Sequence, residues 1–242
     1  MKKLINNSRF RLIAHIVQSI LLSTFNRKKA KGPNIVFIHI PKTGGTSTIN
    51  ELESKIGLQL LRKTSQFLTF PNKGPVSFGH VLYLNLLRLG IVNNDFHKSS
   101  YKFCIVRNPY HRAVSLFNYF KDIKIIDRNI DFENFLDKVY LQRPPVGIYN
   151  HMGISQSNPQ TDWILDSNGK FLVDDIFKLE ELIKLVNVFK DKFKVNLDIQ
   201  RNNVSNKHTF FEKIKKNKSI IEKIEKIYGR DFELLGYKKL DR

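Results

Sequence analysis

The sequence predicts a single α/β domain in which a mostly parallel sheet is flanked by helices. Two short apolar runs rich in β-branched residues, 34–40 and 102–106, have the composition of strands buried on both faces. Each run leads through a turn into a segment with helical spacing, and an alternation of strands and helices is typical of this fold class. A chain of 242 residues, 41% of them hydrophobic, can bury the core of one such domain.

The remaining elements extend this alternation. One helix is predicted over 46–56 after the first strand, and another over 112–119 after the second, with Pro109 suited to a helix start. A third strand is predicted over 170–174. Further helices are predicted after His80 and over 132–140, 180–193 and 219–228.

The chain is strongly basic, with 41 Lys and Arg against 22 Asp and Glu and a net charge of +19, which favours a negatively charged partner. Because residues 1–31 hold eight basic residues and no acidic one, we divide the chain into a basic amphipathic N-terminal segment, 1–31, and a domain over 32–242. Arg11, His15 and Gln18 interrupt the apolar stretch of the segment, so it predicts no membrane span, and because it lacks a small-residue cleavage site it predicts no signal peptide. Packing on the domain, disorder and contact with an anionic membrane surface all remain open for it.

The first chemical motif is Pro41-Lys-Thr-Gly-Gly-Thr-Ser47, between a predicted strand and a predicted helix. Glycines in such a turn allow backbone N–H groups to close on a phosphate at the helix N-terminus, where the helix dipole favours an anion. Lys42 adds a positive charge, and Thr46 and Ser47 add hydroxyl donors. In the P-loop of NTPases the lysine follows the glycines, whereas Lys42 precedes them. The motif therefore predicts a P-loop-like turn for a nucleotide phosphate.

The second motif, Arg107-Asn-Pro-x-x-Arg112-x-x-Ser115, begins where the second predicted strand ends. Open α/β sheets bind their ligands at this edge. Arg107 can bind a second phosphate through parallel hydrogen bonds, and Ser115, two helical turns further on, can donate to the same group. Two phosphate sites imply a doubly phosphorylated nucleotide.

Together the two motifs resemble the binding motifs for 3′-phosphoadenosine 5′-phosphosulfate, PAPS, in the sulfotransferase superfamily. The Ile-Pro-Lys-Thr-Gly-Gly-Thr spelling, with Arg-Asn-Pro later, resembles the carbohydrate branch, which includes the heparan sulfate 2-O-sulfotransferases, more than it resembles the cytosolic aryl and steroid enzymes. The resemblance covers about residues 33–121, with weaker matches at Lys178-Leu-Glu-Glu, Asn203-Val-Ser and Tyr228-Gly-Arg-Asp-Phe. It implies a 3′-phosphate site at Arg107 and Ser115 and a 5′-phosphosulfate site at Lys42, Thr43, Gly44, Gly45, Thr46 and Ser47.

A third segment, Phe78-Gly79-His80-Val81, resembles the part of that branch whose histidine is the proposed catalytic base. The 2-O-sulfotransferases carry His-Gly-His there, so Phe78 leaves the acceptor open. The resemblance implies that His80 takes the proton of an acceptor hydroxyl while Lys42 stabilises charge on the leaving oxygen during in-line transfer. The other candidates for the base are His39, His111 and His151.

We therefore expect PAPS as the sulfuryl donor and a carbohydrate hydroxyl as the acceptor, with no metal ion. The single cysteine, Cys104, excludes an intrachain disulfide and a multi-thiolate metal site. A basic surface would attract an acidic glycan. With no membrane anchor predicted, the expected setting is a bacterial cytoplasm, where the enzyme would act on a glycan or cell-surface polysaccharide precursor.

Two other functions remain open. A P-loop nucleotide kinase or NTPase would need an aspartate at a magnesium site, and Val173-Asp174-Asp175 is the candidate, although an aspartate at a strand end is more often a cap or turn residue. A non-catalytic polyanion-binding module would explain the net charge. Nucleic acid is not the expected partner, because the sequence has no recognition-helix, RNA-binding or zinc signature.

Overall fold

The computed structural model describes residues 32–141, 150–151, 154–199 and 205–241. Its strands are β1 Ile35–Ile38, β2 Gln59–Leu60, β3 Pro75–Ser77, β4 Tyr101–Val106, β5 Asn150–His151, β6 Ile154–Ser155 and β7 Asp175–Lys178. Five of them form one sheet in the order β2-β3-β1-β4-β7, and every neighbouring pair in it is parallel. β5 and β6 form a separate antiparallel pair. The parallel sheet confirms the predicted α/β fold class.

Helices cover both faces of this sheet. The α-helices of the described residues are α1 Gly45–Ile56, α2 Thr64–Leu68, α3 Tyr83–Arg88, α4 Asn94–Ser99, α5 Pro109–Asp122, α6 Phe132–Leu141, α7 Ile183–Phe193, α8 Ser205–Ile214, α9 Lys218–Ile227 and α10 Gly229–Leu234. Two short 3-10 helices, Gln160–Trp163 and Leu179–Glu181, lie among them.

Successive residues of β1 face two different cores, as the pleat of a strand requires. Val36 and Ile38 pack in a cluster that includes residues of α3 and α4. Ile35 and Phe37 pack in a second cluster with residues of α1 and α7. Because both faces are buried, the strand reads in the sequence as one continuous apolar run.

A third cluster packs α5 against α6, α8, α9 and α10. Nine of the residues of α5 are buried, since the helix lies between this cluster and the sheet. The Asn108 side chain caps α5 by accepting a hydrogen bond from Tyr110 N, and Pro109 occupies its first turn, as predicted. This packing fixes the helix that follows the Arg107 motif.

The strand predicted over 170–174 is wrong in position, because the strand is Asp175–Lys178. Phe171 instead pairs with Leu165 in an isolated antiparallel bridge. The Asp174 carboxylate accepts a hydrogen bond from Lys102 N at 2.6 Å, so its side chain holds the start of β4 before β7 begins.

The N-terminal segment 1–31 lies outside the described residues, and the domain boundary at residue 32 stays a prediction. Across the described ranges, every helix is too short or too polar to cross a membrane.

Candidate active site

The turn from Pro41 to Ser47 connects β1 to α1 and has the backbone of an anion-binding turn. Lys42 and Gly44 both lie in the left-handed region, with φ of 65° and 84°. Left-handed residues in a turn bring successive backbone N–H groups together into a concave surface that attracts anions. Gly44 is the N-cap of α1 and makes no side-chain cap, so the first N–H groups of the helix are available to a ligand.

Close packing beneath the turn explains why two glycines stand there. A Cβ atom on Gly44 would lie 2.6 Å from Leu179 Cδ1, and one on Gly45 would lie 2.1 Å from His39 Cδ2 and Nε2. The His39 ring stacks on Phe37 with centroids 5.6 Å apart and meets the His80 ring at 4.2 Å. The ring therefore has neighbours on both sides and little room to move.

The substitution Gly45→Ala is expected to destabilise the protein by about 1–3 kcal/mol, because its methyl group overlaps the confined His39 ring. Gly229→Ala is the matched control, since its added Cβ meets no atom within 4 Å. Thermal unfolding of the two variants tests this. Equal melting temperatures would contradict the packing described for Gly45.

Two side chains of the turn, those of Lys42 and Thr43, make contacts within the protein, and two others, those of Thr46 and Ser47, are accessible. Lys42 Nζ lies 4.0 Å from the centroid of the Tyr119 ring, a cation–π contact that holds its charge beside the turn. The Thr43 hydroxyl is buried and donates to Ile40 O at 2.9 Å, so it braces the turn, and Thr43 can meet a nucleotide only through its backbone. Thr46 is exposed and Ser47 is half-buried, so both hydroxyls stand at the accessible end of α1.

The second turn leaves the sheet beside the first. β1 and β4 are parallel neighbours that pair Ile38 with Cys104, so the chain reaches Pro41 and Arg107 at the same edge of the sheet. The Arg112 side chain, on the first turns of α5, donates from Nε to Pro41 O at 3.0 Å. The two motifs are thus directly hydrogen-bonded to each other.

Ser115 faces the first turn by its position on α5. Arg112, three residues before it, contacts Pro41, and Tyr119, four residues after it, contacts Lys42. Residues with these spacings share one face of a helix. The buried Ser115 side chain therefore lies on the face of α5 that meets the turn.

Arg107 is partly buried at the end of β4. Burial lowers the pKa of its guanidinium, and the nearby Glu180 carboxylate raises it. Arginine nevertheless remains charged at neutral pH. Glu180 also accepts hydrogen bonds from Asn108 N at 2.9 Å and from Tyr237 Oη at 3.0 Å, so its carboxylate holds the backbone of this turn.

His80 follows β3, the strand on the other side of β1. Its Nδ1 lies 2.9 Å from the backbone carbonyl of His39. A carbonyl can only accept, so Nδ1 carries the proton and Nε2 is left as the basic nitrogen. The pKa of His80 is lowered to about 4, mainly by burial and also by the charges of Arg62, Lys42 and Arg112, against the opposing effect of the His39 carbonyl.

The other histidines proposed as bases differ in their surroundings. The His39 ring is buried under Gly45, and burial lowers its pKa well below the ordinary value. The His111 ring packs on Phe211 with centroids 4.4 Å apart. The side chain of His151 lies outside the described residues.

Phe78 replaces the first histidine of the His-Gly-His pattern, and its side chain belongs to the core. It is 4% exposed and lies edge-on to Phe70 at 5.2 Å. His80 is therefore the one histidine of this pattern in the chain, and its ring meets that of His39, which packs beneath Gly45.

The aspartates considered for a magnesium site lie at the other edge of the sheet. Asp174 forms an ion pair with Lys102 Nζ at 3.1 Å, and Asp175 accepts a hydrogen bond from Tyr101 Oη at 2.7 Å. Both partners, Lys102 and Tyr101, lie at the start of β4, whereas the turns 41–47 and 107–109 follow the carboxyl ends of β1 and β4. The aspartates thus pair with residues of the protein at a distance from Lys42. Their position therefore gives no support to a magnesium-dependent kinase.

Several residues that contact the two turns were not predicted from the sequence: Tyr119, Gln160, Leu179 and Glu180. The hydrogen bond by which Arg112 links the second motif to Pro41 was not predicted either. Leu179 and Glu180 lie in the weakly matching Lys178-Leu-Glu-Glu segment, which was the available signal. Gln160 binds the backbone of Arg107, 53 residues away, and no local pattern marks such a contact.

Sulfotransferases are the known proteins to which this chain is similar. The family model of the sulfotransferase family matches residues 26–238. Among solved structures, a sulfotransferase from Alicyclobacillus acidocaldarius is 16% identical with a TM-score of 0.43, over 84% of this chain and 98% of that one. The mouse sulfotransferase SULT7A1 complexed with PAP is 17% identical with a TM-score of 0.44, over 85% of this chain and 70% of that one. The search of curated proteins found no match. On the strength of the family model, which spans most of its length, the chain belongs to the sulfotransferase family.

Proposed function

We propose that this sulfotransferase moves the sulfuryl group of PAPS to a hydroxyl of a carbohydrate, with His80 as the base. The observation that most supports the proposal is the Arg112–Pro41 hydrogen bond, which joins the turns of Lys42 and Arg107 at one edge of the sheet. In this assignment Lys42, the backbone of 43–47 and the hydroxyls of Thr46 and Ser47 bind the 5′-phosphosulfate, while Arg107 and Ser115 bind the 3′-phosphate.

The chemical step needs in-line geometry and charge stabilisation. The acceptor oxygen forms a bond to sulfur as the bond from sulfur to the bridging phosphate oxygen breaks. The acceptor proton moves to His80 Nε2, and 3′,5′-adenosine bisphosphate, PAP, leaves with the electron pair. Lys42 stabilises the negative charge that develops on that bridging oxygen.

A carbohydrate acceptor is supported by the resemblance of the first two motifs to the carbohydrate branch and by the net charge of +19, which attracts acidic glycans. The core position of Phe78 argues for an active site with one histidine of the His-Gly-His pair. We therefore propose a carbohydrate hydroxyl as the acceptor. The His-Gly-His pattern of the heparan sulfate 2-O-sulfotransferases is related but differs in its first histidine, where this chain has Phe78.

The test is incubation with ³⁵S-labelled PAPS and a panel of acidic polysaccharides, neutral oligosaccharides, phenols and small alcohols. Label on a sugar hydroxyl is the expected result. Label confined to phenols would contradict the carbohydrate acceptor. Salt-sensitive binding of polyanions without PAPS-dependent product would instead favour the polyanion-binding module.

The protonation of His80 gives a separate prediction. NMR titration of the ring protons is expected to give His80 a pKa of about 4, compared with an ordinary value of 6.5. Between these two values the unfolded chain binds a proton that folded His80 does not, so the free energy of unfolding falls as pH falls through this window. Added PAP should raise the pKa, because its phosphates favour the imidazolium. A pKa near 6.5 in the free protein would contradict the buried position.

A further inference from the structure

A buried segment, 156–161, contacts Arg107 directly and is linked through the Arg112 side chain to Pro41, so it connects the two proposed nucleotide turns, 41–47 and 107–109. Gln156, Ser157, Gln160 and Thr161 are at most 6% exposed. Polar side chains this deeply buried are retained only where hydrogen bonds satisfy them. Their partners therefore indicate what the segment does.

Gln160 binds both backbone groups of Arg107. Its Oε1 accepts a hydrogen bond from Arg107 N at 2.8 Å, and its Nε2 donates to Arg107 O at 2.8 Å. This two-point contact fixes the peptide groups on either side of the Arg107 Cα atom. It therefore sets the direction in which the guanidinium leaves the strand.

Asp231 of α10 holds Gln160 in this orientation. One carboxylate oxygen accepts from Gln160 N at 2.9 Å and Gln160 Nε2 at 3.2 Å. The other accepts from Thr161 N and Thr161 Oγ1, both at 3.0 Å. The Asp231 side chain is 0% exposed, and all four donors belong to the 156–161 segment. Because the carboxylate can only accept, it also fixes which end of the Gln160 amide is the nitrogen.

Arg112 and Tyr228 connect the rest of the segment. Arg112 donates to Gln156 O at 2.8 Å and to Asn158 O at 2.9 Å, while its Nε binds Pro41 O. Tyr228, which opens the Tyr228-Gly-Arg-Asp-Phe motif, donates from Oη to Ser157 O at 3.1 Å. The C-terminal motif is thus linked through this segment to Arg107, and through the segment and Arg112 to Pro41.

We propose that Asp231 and Gln160 are positioning residues of the nucleotide site, Asp231 orienting the Gln160 amide and Gln160 aiming Arg107 at the 3′-phosphate. The inference rests on the proposed function, because it takes the Arg107 turn as the 3′-phosphate subsite. It predicts that variants of these two residues lose only the part of the nucleotide affinity that the 3′-phosphate contributes. A general loss of stability would instead weaken every nucleotide to the same degree.

The experiment is calorimetric titration of the full chain with PAP and with adenosine 5′-monophosphate, which lacks the 3′-phosphate. The Kd for the monophosphate divided by the Kd for PAP measures the contribution of the 3′-phosphate to binding. Gln160→Met keeps the length of the side chain and removes both bonds to Arg107, so the ratio should fall about tenfold, which is the size expected if the displaced guanidinium loses one charge-assisted hydrogen bond to the phosphate. The affinity for the monophosphate should stay within about twofold of wild type.

Two further variants make the result decisive. Asp231→Asn should lower the ratio in the same direction, and it serves if Gln160→Met does not fold. Asn34→Leu is the matched control: its amide accepts from Gly74 N at 2.8 Å and donates to Ser99 Oγ at 3.0 Å, at the opposite edge of the sheet. It should lower the melting temperature and leave the ratio unchanged.

The outcomes separate the two proposals. A wild-type ratio near one would overturn the proposed function, and this inference with it. A large wild-type ratio that persists in folded Gln160→Met and Asp231→Asn would overturn the positioning role alone.

Discussion

Replacing His80 by Asn is expected to lower kcat by about 10²–10⁴-fold, the usual contribution of a general base. The Asn amide can still donate to the His39 carbonyl, so the contact that supports the turn is kept while the basic nitrogen is lost. Affinity for PAP should therefore remain close to that of wild type. Steady-state sulfuryl transfer and calorimetry with PAP measure the two quantities separately.

The control for this prediction is His111→Ala, which removes a histidine that packs on Phe211. This variant should retain turnover once the folded fraction is taken into account. Full activity in His80→Asn would remove His80 from the reaction. A loss of turnover confined to His111→Ala would assign the proton transfer to that residue.

Replacing Arg107 by Ala is expected to weaken PAP binding about 10²-fold, because two charge-assisted hydrogen bonds to the 3′-phosphate are lost. Arg107→Lys should recover only part of this affinity, since an ammonium keeps the charge but not the planar pair of donors. Binding of adenosine 5′-monophosphate should change little in either variant. Calorimetry with both nucleotides provides the measurement.

Arg88→Ala is the matched control, because it removes the same charge from an exposed position at the end of α3. Its effect on PAP binding should be small and should disappear as salt is raised. If Arg88→Ala and Arg107→Ala weaken PAP equally, the affinity comes from the overall charge of the protein and not from a 3′-phosphate site.

The fold could be predicted where burial leaves a mark in the local sequence. The runs 34–40 and 102–106 are mostly apolar because both faces of β1 and β4 are covered. β2 and β3 were not predicted, because strands of two and three residues are too short to show a period. β7 was displaced because the apolar run 170–174 is used in a bridge and a turn before pairing with β4 begins.

The candidate site could be predicted as far as its residues lie next to one another in the chain. Both phosphate turns are contiguous motifs, and their glycines and cations identify them. The tautomer of His80 depends on a carbonyl 41 residues away, and the orientation of Arg107 depends on Gln160 and, through it, on Asp231. Contacts between such distant positions leave no period or spacing in one sequence.

A single adenine nucleotide must join the two turns for these assignments of Lys42, His80 and Arg107 to hold. A crystal structure of the protein with PAP tests it most directly. We expect the 5′-phosphate at the N–H groups of 44–47 and the 3′-phosphate on the Arg107 guanidinium. A nucleotide bound elsewhere, or one whose 3′-phosphate lies at the 44–47 turn, would contradict the account.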